Sequence, residues 1–178
     1  MNQFRHALVV GGSGMLAGCC RALLDVSDMV SVMARDERRI HAIAPAVHAV
    51  LCDYKDEDAF ASAIASCDRP DLVVAWIHGR HPEIRRALAE CVSPRGRFVQ
   101  VLGSAHGDPS HPERLAEMAK AAEGLPVIYQ AVVLGFVVET GHSRWLTSDE
   151  ISSGVFAAIR SGAPLSIVGT VEPWTARP

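Results

Sequence analysis

The chain has 178 residues, of which 49% are hydrophobic and 21% are charged, and its net charge is −3. This length suits one domain, 1–178, that buries a core without disulfides or metals, and the slightly acidic charge gives no basic field for nucleic acid or an anionic membrane. Because the sequence has neither an apolar run of about eighteen residues nor a leader pattern, we expect a cytoplasmic protein with no membrane or nucleic-acid partner.

The cysteines and histidines do not stand at metal-ligand spacing. The five cysteines are an odd number, and no two of them are separated by two residues as in zinc or redox motifs. Neither pair of nearby histidines, His78 with His81 or His106 with His111, has a cysteine or acidic partner at ligand spacing. The sequence therefore predicts free, buried thiols and no metal site. The cysteines are Cys19, Cys20, Cys52, Cys67 and Cys91.

Strands and helices are predicted to alternate along the chain. Short runs rich in Val, Ile and Leu predict buried strands at residues 6–11, 29–34, 47–51, 72–76, 97–102 and 127–134. Helical spacing lies between them at residues 15–26, 36–44, 57–65, 82–92 and 112–123. Near-continuous apolar strands indicate a sheet covered on both faces. We therefore predict an α/β fold with a doubly wound parallel sheet, Rossmann-like, in three α/β/α layers.

The C-terminal part predicts one more helix. Thr147 and Glu150 stand three apart before residues 151–160, the arrangement of a capping box. Residues 165–169 could add a last short strand, and the tail 172–178 looks irregular. Residues 103–112 form a predicted loop after a strand, which is where ligands sit in open α/β sheets.

A glycine turn joins the first predicted strand to the first helix. Gly12, Gly14 and Ala17 fit the pattern G-x-G-x-x-G/A, and Gly11, Gly14 and Ala17 fit an overlapping rhythm equally well. In either register, the glycines permit a tight turn and let backbone amides approach a pyrophosphate. The alternative is a glycine-rich turn without a ligand. The predicted cofactor-binding residues of this turn are Gly11, Gly12, Ser13, Gly14, Met15 and Leu16.

The second predicted strand ends in Ala34 and Arg35. NAD sites usually have an acidic residue here for the ribose hydroxyls, whereas arginine suits the 2′-phosphate of NADP. Asp36 follows directly, so that an error of one residue in the strand end would exchange the two roles. The sequence favours NADP over NAD. Alternatively, Arg35 pairs only with Asp36 or Glu37 at the start of a helix.

Asp53 and Tyr54 follow the third predicted strand. They place an acid and an aromatic ring where an adenine could be hydrogen-bonded and flanked. Asp53 could equally cap the helix that starts near Asp56, and the sequence leaves both roles open.

With the glycine turn, Arg35, Asp53 and the strand 73–77, the chain resembles the short-chain dehydrogenase/reductase superfamily in a short, atypical form. The resemblance covers most of the sequence, and residues 134–137 and 143–151 look like a compact bacterial group of such enzymes. It implies that Asp53 meets the adenine and that the nicotinamide half is lined by Trp76, Ile77, Gly103 and Ser104. It also implies a homodimer or homotetramer.

The catalytic tyrosine and lysine that the resemblance implies are not both present. Those two residues stand four apart in the superfamily, but the only tyrosines, Tyr54 and Tyr129, have no lysine at that distance. Counting from Ser104, the expected serine, puts Ala116 at the tyrosine position and Lys120 four residues later. Lys120 could also be an ordinary solvated side chain.

Other residues could take part in catalysis. Tyr129 is a candidate acid in the sixth strand, near the edge of the expected cleft, although strand tyrosines are commonly just packed. His106 and His142 could move protons, yet both are predicted in surface loops. Trp145 and Phe136 are expected to form a hydrophobic wall over the cleft or a subunit contact.

Two functions remain open from the sequence. The first is an NADP(H)-dependent oxidoreductase that acts on a small carbonyl or related substrate, with Ser104, Tyr129 and Lys120 as candidate catalytic residues. The second is a non-catalytic protein that binds NADP(H) and reports its redox state to a partner. The fold alone does not choose between them.

Overall fold

In the computed structural model, residues 3–79 and 81–178 are described. Nine strands are formed within these residues: β1 (Phe4–Val10), β2 (Ser27–Ala34), β3 (His48–Leu51), β4 (Leu72–Trp76), β5 (Arg97–Leu102), β6 (Ile128–Leu134), β7 (Phe136–Glu139), β8 (His142–Trp145) and β9 (Leu165–Val168). The same residues form six α-helices: α1 (Ala17–Leu23), α2 (Glu37–His41), α3 (Glu57–Ser66), α4 (Pro82–Cys91), α5 (Glu113–Ala119) and α6 (Ser148–Ser161).

Seven of the strands form one parallel sheet in the order β3-β2-β1-β4-β5-β6-β9. The chain moves outward from β1 in one direction through β2 and β3, and in the other direction through β4, β5 and β6. The two halves meet between β1 and β4, and ligands bind at the carboxyl ends of the strands at such a switch point. The predicted doubly wound sheet is thus confirmed.

Both faces of the sheet are buried, which explains the near-continuous apolar strands. Alternate residues of β1 belong to two different clusters: Ala7 and Val9 pack with α1, α2 and α6, whereas Leu8 and Val10 pack with α3 and α4. The helices therefore cover the sheet on both sides in three layers. The predicted bounds of β4 and β5 agree with the structure, and the other predicted strands differ by one or two residues at one or both ends.

Helices α1 and α5 are shorter than predicted, because part of each predicted range forms a turn. Residues 15–16 belong to the glycine turn, so that α1 begins at Ala17. Helix α5 ends at Ala119, and a short 3-10 turn covers Lys120–Ala122. A second 3-10 turn, Ser104–Gly107, lies within the predicted loop 103–112.

The segment between β6 and α6 holds an antiparallel hairpin, β7 with β8, that the sequence analysis did not predict. His142, expected in a surface loop, is the first residue of β8. The capping box is confirmed: Thr147 Oγ1 accepts from the Glu150 amide at 3.2 Å, and a Glu150 carboxylate oxygen accepts from the Thr147 amide at 2.8 Å. Helix α6 starts at Ser148, three residues earlier than predicted. No helix in the described part of the chain is long and apolar enough to cross a membrane.

Candidate functional site

The base of the glycine turn admits only glycine. Gly11 has φ +76°, and a Cβ there would stand 2.8 Å from the Trp76 carbonyl oxygen. A Cβ on Gly12 would stand 2.8 Å from Cys20 Sγ and 2.9 Å from a methyl of Val9. The first strand can therefore turn into α1 within a few residues only because both positions lack a side chain.

The outer side of the turn is open. A Cβ on Gly14 would have only one neighbour, Arg39 Nη2 at 4.0 Å. Among the described residues, the amides of residues 12–16 find no hydrogen-bond acceptor, whereas the Gly11 amide donates to Met33 O at 3.0 Å. Unpaired amides on an open turn are suited to phosphate oxygens. The side chain of Leu16 is buried in the core, so this residue can offer only its amide.

Arg35 and Asp36 have separate roles at the end of β2. Asp36 is the N-cap of α2, and its carboxylate accepts from the Arg39 amide at 3.2 Å. Arg35 is exposed, and its Nη1 atom lies 3.9 Å from Asp53 Oδ2 at the end of β3. The alternative pairing of Arg35 with Asp36 or Glu37 is not found among the described residues, and the nearest carboxylate to the guanidinium is that of Asp53.

Asp53 does not cap α3. The cap is Asp56, whose carboxylate accepts from the Ala59 amide at 3.0 Å, so the capping alternative for Asp53 is wrong. Asp53 instead accepts from the Lys55 amide at 3.1 Å. The Tyr54 hydroxyl accepts from the His78 amide at 3.2 Å, which ties the end of β3 to the loop after β4.

Trp76 lies between the glycine turn and the end of β5. Its side chain would be 3.5 Å from a Cβ on Gly11 and 3.8 Å from a Cβ on Gly103. Its indole Nε1 donates to His78 Nε2 at 2.8 Å. The Ile77 side chain, in contrast, is 7% exposed and packs in the core cluster on the other face of the sheet. The structure thus brings together Gly11, Trp76 and Gly103, and it places Ile77 on the other face, where it borders the pocket between α4 and α5.

A pocket of about 950 Å³ opens beside Trp76 and Gly103, between α4 and α5. Lys120 and His106 line it, and burial lowers the pKa of His106, whose Nδ1 lies 3.2 Å from Gly103 O. On the α4 side, Arg85 Nη2 donates to Ile77 O and to Gly79 O, each at 2.9 Å. The pocket is therefore floored by the carboxyl ends of β4 and β5 and carries both polar and apolar groups.

The three candidate catalytic residues are not all at the cleft. Ser104, between the lining residues Gly103 and Ala105, is 7% exposed and does not itself line the pocket, whereas Lys120 borders it. Tyr129 is the second residue of β6 and pairs with Phe98 near the amino ends of the strands. Burial raises the pKa of Tyr129 to about 12, and no described residue bonds its hydroxyl. The expectation that Tyr129 borders the cofactor cleft is therefore wrong.

Arg177 was missed by the sequence analysis. The tail that looked irregular contains a 3-10 turn, Trp174–Ala176, and returns to the end of β5. There, Arg177 Nε donates to Ser104 Oγ at 3.0 Å. No local pattern signals a contact between residues 73 positions apart.

No family model matches the sequence, and no curated protein matches it significantly. Solved structures do match. A metagenomic short-chain oxidoreductase in complex with NADP has a TM-score of 0.66 and 22% identity, over 93% of this chain and 96% of that one. A short-chain dehydrogenase from Burkholderia cenocepacia in complex with NADP has a TM-score of 0.69 and 18% identity, over 99% and 93%.

A bulky-bulky ketone specific alcohol dehydrogenase from Comamonas testosteroni has a TM-score of 0.69 and 15% identity, over 96% of this chain and 89% of that one. At these identities, the matches show the fold and not the function. The resemblance seen in the sequence is confirmed at that level: the chain has the Rossmann fold of the short-chain dehydrogenase/reductases.

Proposed function

We propose that the chain binds NADP(H) along the carboxyl edge of its sheet and transfers a hydride between this cofactor and a small carbonyl compound. The observation that carries the proposal is the open glycine turn, where the amides of residues 12–16 find no acceptor within the described chain. Two solved structures with the same fold are complexes with NADP, which supports a dinucleotide at this edge.

The preference for NADP(H) over NAD(H) rests on the end of β2. The carboxylate of Asp36 is engaged by the Arg39 amide and is poorly placed to receive ribose hydroxyls. Arg35 is exposed, and its one carboxylate neighbour is 3.9 Å away. A guanidinium so weakly paired can turn to a 2′-phosphate, to which it can donate two parallel hydrogen bonds.

The remaining cofactor residues follow the same edge in order. Asp53 and Tyr54 would meet the adenine at the end of β3, and Trp76 and Gly103 would meet the nicotinamide half beyond the glycine turn. When bound, the cofactor supplies or accepts the hydride. The pocket of about 950 Å³ beside Trp76 is large enough for a small substrate, which supports an enzyme more than a binding protein.

Ser104 and Lys120 are the groups we assign to the reacting end. Because the Ser104 hydroxyl oxygen accepts from Arg177, its proton is free to be donated to a substrate oxygen. Lys120 borders the pocket with an exposed ammonium group that can hold negative charge as it develops on that oxygen.

The experiment that tests the proposal is calorimetric titration of NADPH into the wild type, Gly14→Val and Gly14→Ala. The valine side chain would occupy the open space in front of the turn without a clash, because the nearest atom to a Cβ on Gly14 is 4.0 Å away. We expect a loss of at least roughly tenfold in affinity for valine, a smaller loss for alanine, and unchanged melting temperatures. Equal affinity of all three proteins would contradict binding at the turn.

Turnover is measured separately, as oxidation of NADPH with a panel of carbonyl compounds. Hydride transfer to any of them supports the oxidoreductase. Tight binding of NADPH without turnover of any substrate would instead favour a non-catalytic protein that reports the redox state of NADP(H). That alternative is consistent with the absence of a tyrosine and a lysine four residues apart.

A further inference from the structure

The C-terminal tail brings a positive charge to the serine after β5. Arg177 Nε donates to Ser104 Oγ at 3.0 Å, and Ser104 is only 7% exposed. Ser143 Oγ of β8 donates to the carbonyl of Ala176 and so ties the tail to the hairpin. The guanidinium is therefore fixed at the carboxyl edge of the sheet, next to Gly103.

Two indole rings flank this guanidinium. Its central carbon lies 5.0 Å from the ring centre of Trp145, the last residue of β8, and 5.3 Å from that of Trp174. Both distances are within the range of cation–π attraction. The rings restrict the rotamers of Arg177, and a guanidinium that is already ordered loses less entropy when it binds an anion.

The charge of Arg177 is not balanced within the described residues. Among the described residues, Arg177 forms no ion pair. Arg144 of the β7–β8 hairpin, in contrast, pairs with Glu139 at 2.7 Å and with Glu150 at 2.9 Å. Nε bonds Ser104, while the two Nη groups have no acceptor among the hydrogen bonds of the described chain. This leaves a planar pair of donors, the geometry that matches a carboxylate.

We propose that Arg177 and Ser104 recognise a carboxylate on the substrate, so that the substrate is a small oxo acid. The inference rests on the proposed function. The carboxylate would bind the Nη groups of Arg177, and the Ser104 hydroxyl would donate to the carbonyl oxygen. Reduction then consumes one NADPH and one proton for each oxo acid and yields the hydroxy acid and NADP⁺.

A carboxylate fits this site better than a phosphate group. One guanidinium balances one negative charge, whereas a phosphate carries close to two near neutral pH. A guanidinium also keeps its proton at all relevant pH values, so that Arg177 binds the substrate and does not supply the proton.

The chain has three tryptophans, and their indole N–H signals in a ¹H–¹⁵N spectrum separate this inference from the proposed function. NADPH is titrated first and is expected to shift the signal of Trp76, which lies beside the glycine turn. Pyruvate and phenylpyruvate are then titrated, each against its methyl ester. We expect the acids to shift the signals of Trp145 and Trp174 with affinities roughly tenfold above those of the esters.

The matched variants are Arg177→Gln, Arg177→Lys and Arg160→Gln. Glutamine at Arg177 should remove the preference for the acids and leave the response of Trp76 to NADPH, while lysine should retain part of the preference. Arg160→Gln removes the same charge from an exposed position of α6 and should change neither. Melting temperatures of all variants show whether the fold is retained.

Equal shifts by acids and esters, or an unchanged preference in Arg177→Gln, would overturn the carboxylate site. Loss of the Trp76 response to NADPH in Arg177→Gln would also overturn it, because Arg177 would then belong to the cofactor. If the acids shift Trp145 and Trp174 in the wild type while NADPH shifts nothing, the proposed function fails and the carboxylate site stands.

Discussion

Arg35 and Asp36 are adjacent residues, and the cofactor preference depends on which of them faces the ribose. The sequence identifies the pair but leaves their roles open, because the end of a strand is uncertain by a residue or more. The structure separates them through a single bond, from the Arg39 amide to the Asp36 carboxylate. Helix capping thus engages one oxygen of the acid, and under the proposed function the arginine is left to bind the 2′-phosphate.

Replacing Arg35 by alanine tests this division. Arg35→Ala should weaken NADPH binding roughly tenfold or more, because a charge-assisted pair with the 2′-phosphate is lost, and should leave NADH binding nearly unchanged. Calorimetry with both nucleotides measures the effect, and Arg160→Ala controls for the change in net charge. Equal losses for NADPH and NADH in Arg35→Ala would show that the arginine does not read the phosphate.

The sequence predicts the position of Ser104 but not the residue that bonds it. The serine was located by its place after the fifth strand, but its partner Arg177 is 73 residues away and lies in a tail without regular pattern. Only folding brings the two together. For Tyr129, the prediction of a strand is correct. The residue lies near the amino end of β6, however, and not at the carboxyl end, where the cleft is.

At the scale of elements, the β7–β8 hairpin is the part of the fold that the sequence analysis lacked. Its two strands have four residues each and are joined by Thr140 and Gly141, the glycine having φ +88°. A glycine in a two-residue connection is typical of a hairpin, although only the first of the two flanking strands is mainly apolar. The strands were missed because they are short and because several of their side chains are exposed.

Glu150 couples this hairpin to α6. Its carboxylate accepts two bonds from Arg144 of β8, at 2.9 and 3.0 Å, and one from the Thr147 amide. These bonds lower the pKa of Glu150 from 4.5 to about 2, and the bonds from Arg144 contribute most. A lowered pKa in the folded state means that the stabilisation is present above the unfolded value and is lost as the pH falls toward the folded value.

We therefore predict that Glu150→Gln melts below the wild type near neutral pH and that the difference shrinks as the pH falls from about 4.5 to about 2. Thermal unfolding followed by circular dichroism at several pH values measures this. Glu139→Gln is the control, because it removes one bond to Arg144 but leaves the helix cap. A difference between Glu150→Gln and the wild type that stays constant with pH would refute the coupling.

At the scale of the whole molecule, the predictable part of the fold is the alternation of strands and helices. Runs of Val, Ile and Leu mark buried strands because both faces of the sheet are covered, and β4 and β5 were located to the residue. Contacts between distant parts of the chain could not be foreseen: Ser152 of α6 donates to the carbonyl of Met15, 137 residues away, at 2.7 Å. Helix α6 and the glycine turn are joined by that bond.

The candidate site also has one half that the sequence predicts and one half that it does not. Its cofactor half follows from strand ends and glycines, which are local features, and most of those residues lie at the carboxyl edge. Its substrate half combines the end of β5, the hairpin and the tail, and no local pattern of any one of them shows what the others contribute.

The central claim is that the glycine turn binds the diphosphate of NADP(H). It is tested most directly by following the backbone amide signals of residues 12–16 in ¹H–¹⁵N spectra while NADPH is added. We predict that these signals shift together, with the same dissociation constant as that measured by calorimetry. Saturation with NADPH that leaves the amides of residues 12–16 unshifted would contradict the account.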